Sequence, residues 1–230
     1  MSSQTLDGHS CRVTVLSWNV GNAQPPADLS EWVKGEAAEG SEFVVVGVQE
    51  CRFSTDAKSK DAKKGKKRQV AKVMRPRAVV AKIKATVFWG VVEQSLPGYE
   101  KVASGRRFEM SLRVYALKTV VALVRNVCVS NEATGLGGVV GNKGGIAISF
   151  RYLDNSFCFV SAHFAAHQDR LEDRRQNYRE IVRNLRIGRK AFDLVNQFDY
   201  LFWMGDLNYR VDLPFDEALP LASRRGSRTG

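Results

Sequence analysis

No stretch of this 230-residue sequence is apolar for long enough to cross a bilayer. Residues 1–10 are polar and lack the apolar core of a secretion signal, so a cytoplasmic chain is expected. Cysteine is scarce: Cys11, Cys51, Cys128 and Cys158 lie far apart, with no C-x-x-C pair among them. Such spacing disfavours a zinc site and a disulfide framework alike; buried, reduced thiols fit better. Histidine is scarcer still, with His9, His163 and His167 alone, so no imidazole chemistry can come from the chain after residue 167.

What is present suits a folded domain. Hydrophobic residues make up 44% and aromatics 10%, enough for a core and against global disorder. The formal charge of +11 is unevenly placed: residues 54–77 hold ten basic and two acidic side chains, a net +8. The basic character therefore belongs to one insert rather than to the whole chain. Lys58 to Arg77 could meet an anionic membrane peripherally, at about 1 kcal/mol per basic residue close to the surface. Nucleic acid is a second partner for such a run, and a solvated loop with no partner is the plain alternative.

Short apolar runs alternate with loops and a few helices, the order of an α/β layered domain. Strands are expected at Arg12–Trp18, Phe43–Val48 (a continuous apolar run, hence buried on both faces), Ile146–Phe150, Phe157–Ala162 and Tyr200–Met204. Gly98–Glu100 reads as a turn, and Val120–Val124 with Val127–Val129 as strand material. Asp154-Asn155 would turn the hairpin between Ile146–Phe150 and Phe157–Ala162. Leu29–Ala38 reads as a short helix with Leu29, Trp32 and Val33 on one side. Arg170–Arg186 is the best helix, its stripe formed by Leu171, Tyr178, Ile181, Val182 and Leu185. A catalytic-domain segment is expected over 11–217, with a disordered tail over 218–230.

Polar residues recur where strands end: Asn19, Glu50, His163, and Asp206 with Asn208. Strands laid side by side place their ends along one rim, so these side chains can converge on one ligand. Glu and Asn oxygens are hard donors suited to Mg²⁺. Histidine can donate to phosphate oxygens, and an aspartate can accept a proton from water. Asparagine can stabilise a crowded anionic transition state. Gly141-Asn142-Lys143-Gly144-Gly145 allows close backbone approach to an anion, with Lys143 supplying charge; a plain hairpin loop is the alternative. Its spacing is not that of a Walker A loop.

Five segments, in order, carry a resemblance: Trp18-Asn19-Val20-Gly21, Val46-Gly47-Val48-Gln49-Glu50, Gly141-Asn142-Lys143-Gly144-Gly145, Ser161-Ala162-His163-Phe164-Ala165-Ala166-His167, and Trp203-Met204-Gly205-Asp206-Leu207-Asn208-Tyr209-Arg210. Together they resemble the motifs of inositol polyphosphate 5-phosphatases, within the endonuclease/exonuclease/phosphatase superfamily. The resemblance implies a four-layered α/β sandwich and a Mg²⁺-dependent phosphomonoesterase acting on phosphoinositide lipids or soluble inositol phosphates. It implies Asn19 and Glu50 as metal contacts, with His163 holding the scissile phosphate. Asp206 would activate or orient the water, and Asn208 would support the transition state. Asn142 and Lys143 would lie beside the phosphate, with Arg210 at the rim. No specific nucleic acid is expected on this reading, and oligomeric state is not legible.

The family pattern continues with a P-x-W-C-D-R segment and a Ser-Asp-His-type segment, and neither is found after Arg210. The sandwich is thus expected to be incomplete at its C-terminus, and the chain weakly active or inactive. Each lost stabilising group costs on the order of 10²-fold or more. Two rival readings stay open: a Mg²⁺-dependent endonuclease or sphingomyelinase of the same superfamily, and a phosphoinositide-binding fragment without turnover.

Overall fold

The structure, a computed structural model, describes residues 10–23, 26, 28–34, 40–51, 88–135, 143–189 and 191–223. The basic insert at 54–77 and Asn142 lie outside these residues.

Two four-stranded sheets pack face to face. The first holds β1 (Val13–Asn19), β2 (Phe43–Gln49), β3 (Tyr99–Arg107) and β4 (Met110–Leu117), in the order β1-β2-β4-β3. The second runs β5 (Val124–Ala133), β6 (Gly144–Tyr152), β7 (Asn155–His163), β8 (Tyr200–Asp206), in that order. Each sheet has one parallel pair, β1 with β2 and β7 with β8, and is otherwise antiparallel. Parallel neighbours need a crossover. Helix α1 (Ser30–Lys34) lies between β1 and β2, and α3 (Leu171–Asn184) between β7 and β8. Helix α2 covers 88–94, and α4 runs Phe215–Ser223.

Three apolar clusters define four layers. Leu29, just before α1, with Val33 of α1 and Phe88, Trp89 and Val92 of α2, packs on Val44, Val46 and Val48, on the outer face of the first sheet. Between the sheets, Phe43 lies 4.8 Å from Phe150, 5.0 Å from Tyr152 and 6.0 Å from Phe157, centroid to centroid. Ala147, Val160 and Ala162 meet Ile181 and Leu185 on the outer face of the second sheet. This is the expected α/β sandwich, and β2 is buried along its whole length because cores lie on both its faces. No helix among the described residues is long and apolar enough to cross a membrane.

Several local expectations need correction. Tyr99–Arg107 is an edge strand rather than only the far side of a turn; a register shift between Lys101 and Ala103 breaks its alternation. Val121–Leu123 is a 3₁₀ turn, and strand resumes at Val124. The turn joining β6 to β7 is Leu153-Asp154, one residue earlier than expected, with Leu153 left-handed. Tyr200–Asp206 is only partly buried because β8 ends its sheet. Helix α1 is described over Ser30–Lys34 only. The stripe of α3 is displaced: Leu171 and Tyr178 are exposed, whereas Arg174, Asn177 and Ile181 face inward. Cys51 and Cys158 are buried, Cys11 partly so, but Cys128 is exposed on edge strand β5. The tail expected from residue 218 is helical through Ser223. Asp216 and Glu217 in the first turn of α4 favour that start by opposing the helix dipole.

Candidate active site

The parallel pairs dictate where the site forms. In β1 and β2, Asn19 lies opposite Gln49, which places Asn19 and Glu50 together at the carboxyl ends. In β7 and β8, His163 lies opposite Asp206. Face-to-face packing then brings both pairs of ends to one rim. Asn19 Nδ2 donates to Asp206 Oδ2 across the two sheets at 2.7 Å. His163 Nε2 stands 3.4 Å from the same oxygen and 3.9 Å from Glu50 Oε1.

Lys143 enters from the start of β6, its Nζ 2.6 Å from His163 Nε2. A single proton serves that contact. Either the Lys143 ammonium donates to Nε2, or an Nε2–H donates to a neutral amine and toward Asp206. His163 is buried, and its Nδ1 has no hydrogen-bond partner among the described residues.

Local backbone geometry sets these positions. Gly144 has φ +152°, and a Cβ there would stand 2.2 Å from the Glu132 carbonyl oxygen. Only glycine lets Lys143 be presented from that bend. Glu50 (φ 51°) and Asn208 (φ 55°) are left-handed. Asparagine tolerates this; for glutamate it costs on the order of 1–2 kcal/mol, offset by the surrounding fold. Asn22 N–H donates to Glu50 O at 2.8 Å and pins that turn.

Asp206 is the hub. The hydrogen bond from His163 holds its carboxyl well below the usual carboxylate range, assisted by Asn19 and by the Asn208 N–H, which donates to Oδ1 at 3.0 Å. Burial pushes Lys143 below its ordinary value, against the attraction of Glu50, Asp206 and Glu109.

The structure therefore brings Asn19, Glu50, Lys143, His163, Asp206 and Asn208 together. Asn208 is more committed than expected: its Nδ2 donates to Phe164 O at 3.0 Å, and its Oδ1 accepts from Arg210 at 2.8 Å. Arg210 thus braces Asn208 from the exposed side. Sequence reasoning missed Glu109, in the turn joining β3 to β4, and Gln49 with Ser161. Gln49 Nε2 donates to Ser161 Oγ at 3.2 Å and joins the sheets directly beneath the site. No motif marks Glu109; Gln49 and Ser161 stand within the motif segments of Glu50 and His163, but nothing in the sequence shows that they meet across the sheets.

Among the described residues, no three His, Cys, Asp or Glu side chains are spaced as a ready metal cluster. Magnesium needs less, because it keeps several waters and takes one or two carboxylates. Three carboxylates among the described residues, Glu50, Asp206 and Glu109, act electrostatically on Lys143. That excess of negative charge, with the Asn19 and Glu50 oxygens at its edge, fits a divalent cation.

The chain matches Endonuclease/Exonuclease/phosphatase family 2 over residues 16–226. It is 31% identical over 211 residues to inositol-1,4,5-trisphosphate 5-phosphatase 1 of Schizosaccharomyces pombe, covering 91% of this chain and 18% of that protein. It is 28% identical over 207 residues to phosphatidylinositol 4,5-bisphosphate 5-phosphatase A of Homo sapiens, covering 87% and 18%. The chain thus spans about a fifth of the length of these curated relatives. Among solved structures, it superposes with a TM-score of 0.67 on the inositol polyphosphate 5-phosphatase domain of SPsynaptojanin in complex with inositol (1,4)-bisphosphate and calcium ion. That pair shares 26% identity, covering 91% of this chain and 56% of the other. A Cimex nitrophorin superposes at 0.58 with 21% identity, covering 91% and 64%; this likeness shows the fold alone.

Proposed function

This chain belongs to Endonuclease/Exonuclease/phosphatase family 2, and on that premise we propose that its site removes the 5-phosphate from a phosphoinositide or inositol polyphosphate with Mg²⁺. The observation that carries the reading is His163, which stands 3.4 Å from Asp206 of its own sheet and 3.9 Å from Glu50 at the end of the other. The relatives that support it are named for activity on inositol phosphates and phosphoinositides. The SPsynaptojanin domain holds an inositol bisphosphate and a divalent cation.

Glu50 and Asn19 would hold the magnesium, their oxygens being hard and lying at the edge of the negative cluster. When bound, the metal supplies polarisation of a phosphoryl oxygen and charge for the leaving oxygen. The protein does the rest. His163 and Lys143 offer donors to phosphate oxygens, displacing the contact they make with each other. Asp206, held as a carboxylate, is a weak base. Its first task is to orient water, and it takes the proton only as the new P–O bond forms. Asn208 holds Asp206 through its backbone N–H, and its side chain reaches the transition state only by leaving Phe164 O or Arg210. This reading carries a cytoplasmic location with peripheral membrane contact through Lys58–Arg77.

A second reading, phosphoinositide binding without turnover, is favoured by that commitment of the Asn208 amide. One experiment separates the two: Mg²⁺-dependent phosphate release from phosphatidylinositol 4,5-bisphosphate by residues 1–230, beside Asp206→Ala. Release that falls at least ~10²-fold in the variant is expected. Lipid binding with no release by a folded wild-type chain would establish the binding reading instead.

A further inference from the structure

Helix α3 does not meet the sheet with a purely apolar face. Arg174, 2% exposed, stands in the row that also buries Asn177 and Ile181. Its two terminal nitrogens are spent on backbone, while its Nε has no partner among the described residues. Nη1 donates to Ala165 O at 3.3 Å and His167 O at 2.5 Å, and Nη2 to Gln168 O at 3.2 Å. Asn177 Oδ1 accepts from Ala165 N–H at 2.9 Å. Burying a guanidinium is costly, and three carbonyls in one short loop are what repays it through a planar, multidentate donor.

The loop so held is the one that leaves His163. Phe164 N–H donates to Asp206 O at 3.0 Å, and Phe164 O accepts from Asn208 Nδ2 at 3.0 Å. The Phe164 carbonyl and the Ala165 N–H belong to one peptide group. One edge of that group is bonded to Asn177 and the other to Asn208, so rotating it moves Asn208. The Tyr209 ring, next in the chain, lies over the Arg174 guanidinium at 5.6 Å. His167 sits in the same loop with φ 78°, a strained conformation that the Arg174 contact to its carbonyl helps maintain.

We propose that Arg174, with Asn177 beside it, is a positioning residue for the reaction. Neither touches a reacting atom: Asn177 holds the N–H of the Phe164–Ala165 peptide group, Arg174 holds the carbonyls that follow it, and together they set the placement of Asn208 against Asp206. This inference rests on the hydrolase reading for its kinetic consequence, but its structural content can be measured separately.

The test uses the full 230-residue chain with Arg174→Met, Arg174→Lys and Asn177→Leu. Thermal melting, amide hydrogen exchange at Ala165, the NMR shifts of the Asn208 side-chain amide, and kcat and KM for phosphate release are recorded. In Arg174→Met, exchange at Ala165 should rise about ten-fold or more while the fold persists, and the Asn208 signals should move. Turnover should fall on the order of 10²-fold with KM within about two-fold, the mark of misplacement rather than lost binding. Arg174→Lys should recover part of each. Unchanged Ala165 exchange and Asn208 shifts would overturn the proposal. So would a turnover loss that merely tracked the melted fraction and was equal for Lys and Met. If wild type releases no phosphate, the hydrolase reading fails for residues 1–230, and the exchange and Asn208 readouts still decide the role of Arg174. If Arg174→Met does not fold, Asn177→Leu, which removes a single acceptor, carries the same readouts.

Discussion

Replacing Gly205 with alanine should damage stability and site together, because one methyl group would enter the seam between β7 and β8. Gly205 has φ +122° and lies opposite Ala162 in the parallel pair, one residue before His163 and Asp206 face each other. A Cβ at that position would stand 2.0 Å from Ala162 O and 2.7 Å from Ala162 N. Even a close carbon–oxygen contact needs about 3.3 Å, so the strands must part by roughly 1 Å or the backbone must turn. Neither neighbour is a flexible side-chain end. Positive-φ strain contributes about 1–2 kcal/mol, and the forced separation brings the expected loss to roughly 3–5 kcal/mol. For a domain of this size that is a fall of about 10 °C in Tm. Parting the strands also draws Asp206 away from His163, so phosphate release should fall further than the folded fraction does. Gly90→Ala is the matched control. Its Cβ would meet nothing within 4 Å, and it lies in α2, where alanine gains up to about 1 kcal/mol over glycine. A Gly205→Ala protein melting within about 2 °C of wild type, with its turnover intact, would refute the steric reasoning.

Two further outcomes follow from the charge and packing around the site. Asp206 has its carboxyl depressed from 3.8, chiefly by the His163 hydrogen bond. A depressed carboxyl contributes stability that is complete above its unfolded value and lost as pH falls through the folded one. The urea midpoints of wild type and Asp206→Asn should therefore differ by a constant amount above about pH 5 and converge below about pH 4; a gap independent of pH would contradict the assignment. Phe43→Ala removes a fully buried ring packed against Phe150, Tyr152 and Phe157. It should cost about 3–5 kcal/mol in urea unfolding, and a loss under about 1 kcal/mol would mean that the space between the sheets collapses freely.

How far the molecule is legible in its sequence depends on the range of the interactions involved. Phe43–Val48 could be read as a buried strand because its apolar run is continuous, and the structure buries every residue of it. The pairing of β6 with β7 was visible in two apolar runs around a polar turn. The polar residues at strand exits were named from motif and position, and the fold brings those described to one rim. Edge strands were the weak point. Tyr99–Arg107 pairs on one side only and carries a register shift, so its side chains give no regular alternation. Tyr200–Met204 is apolar as a buried strand would be, yet nothing in its own residues says that it ends its sheet among the described residues.

By itself the sequence determined the layer class, the order of the site-bearing strands and the chemical types at their ends, because these follow from local periodicity and short motifs. Tertiary structure alone decided which strand ends meet. It set Asn19 of one sheet on Asp206 of the other and placed Glu109 from a distant turn near Lys143. It also turned Arg174 and Asn177 of α3 inward, where periodicity marked Leu171 and Tyr178. The reason is physical. A side chain's neighbours across two packed sheets are fixed by pairings between residues far apart in the chain. A polar side chain is worth burying only where a loop elsewhere offers carbonyls that would otherwise lack donors.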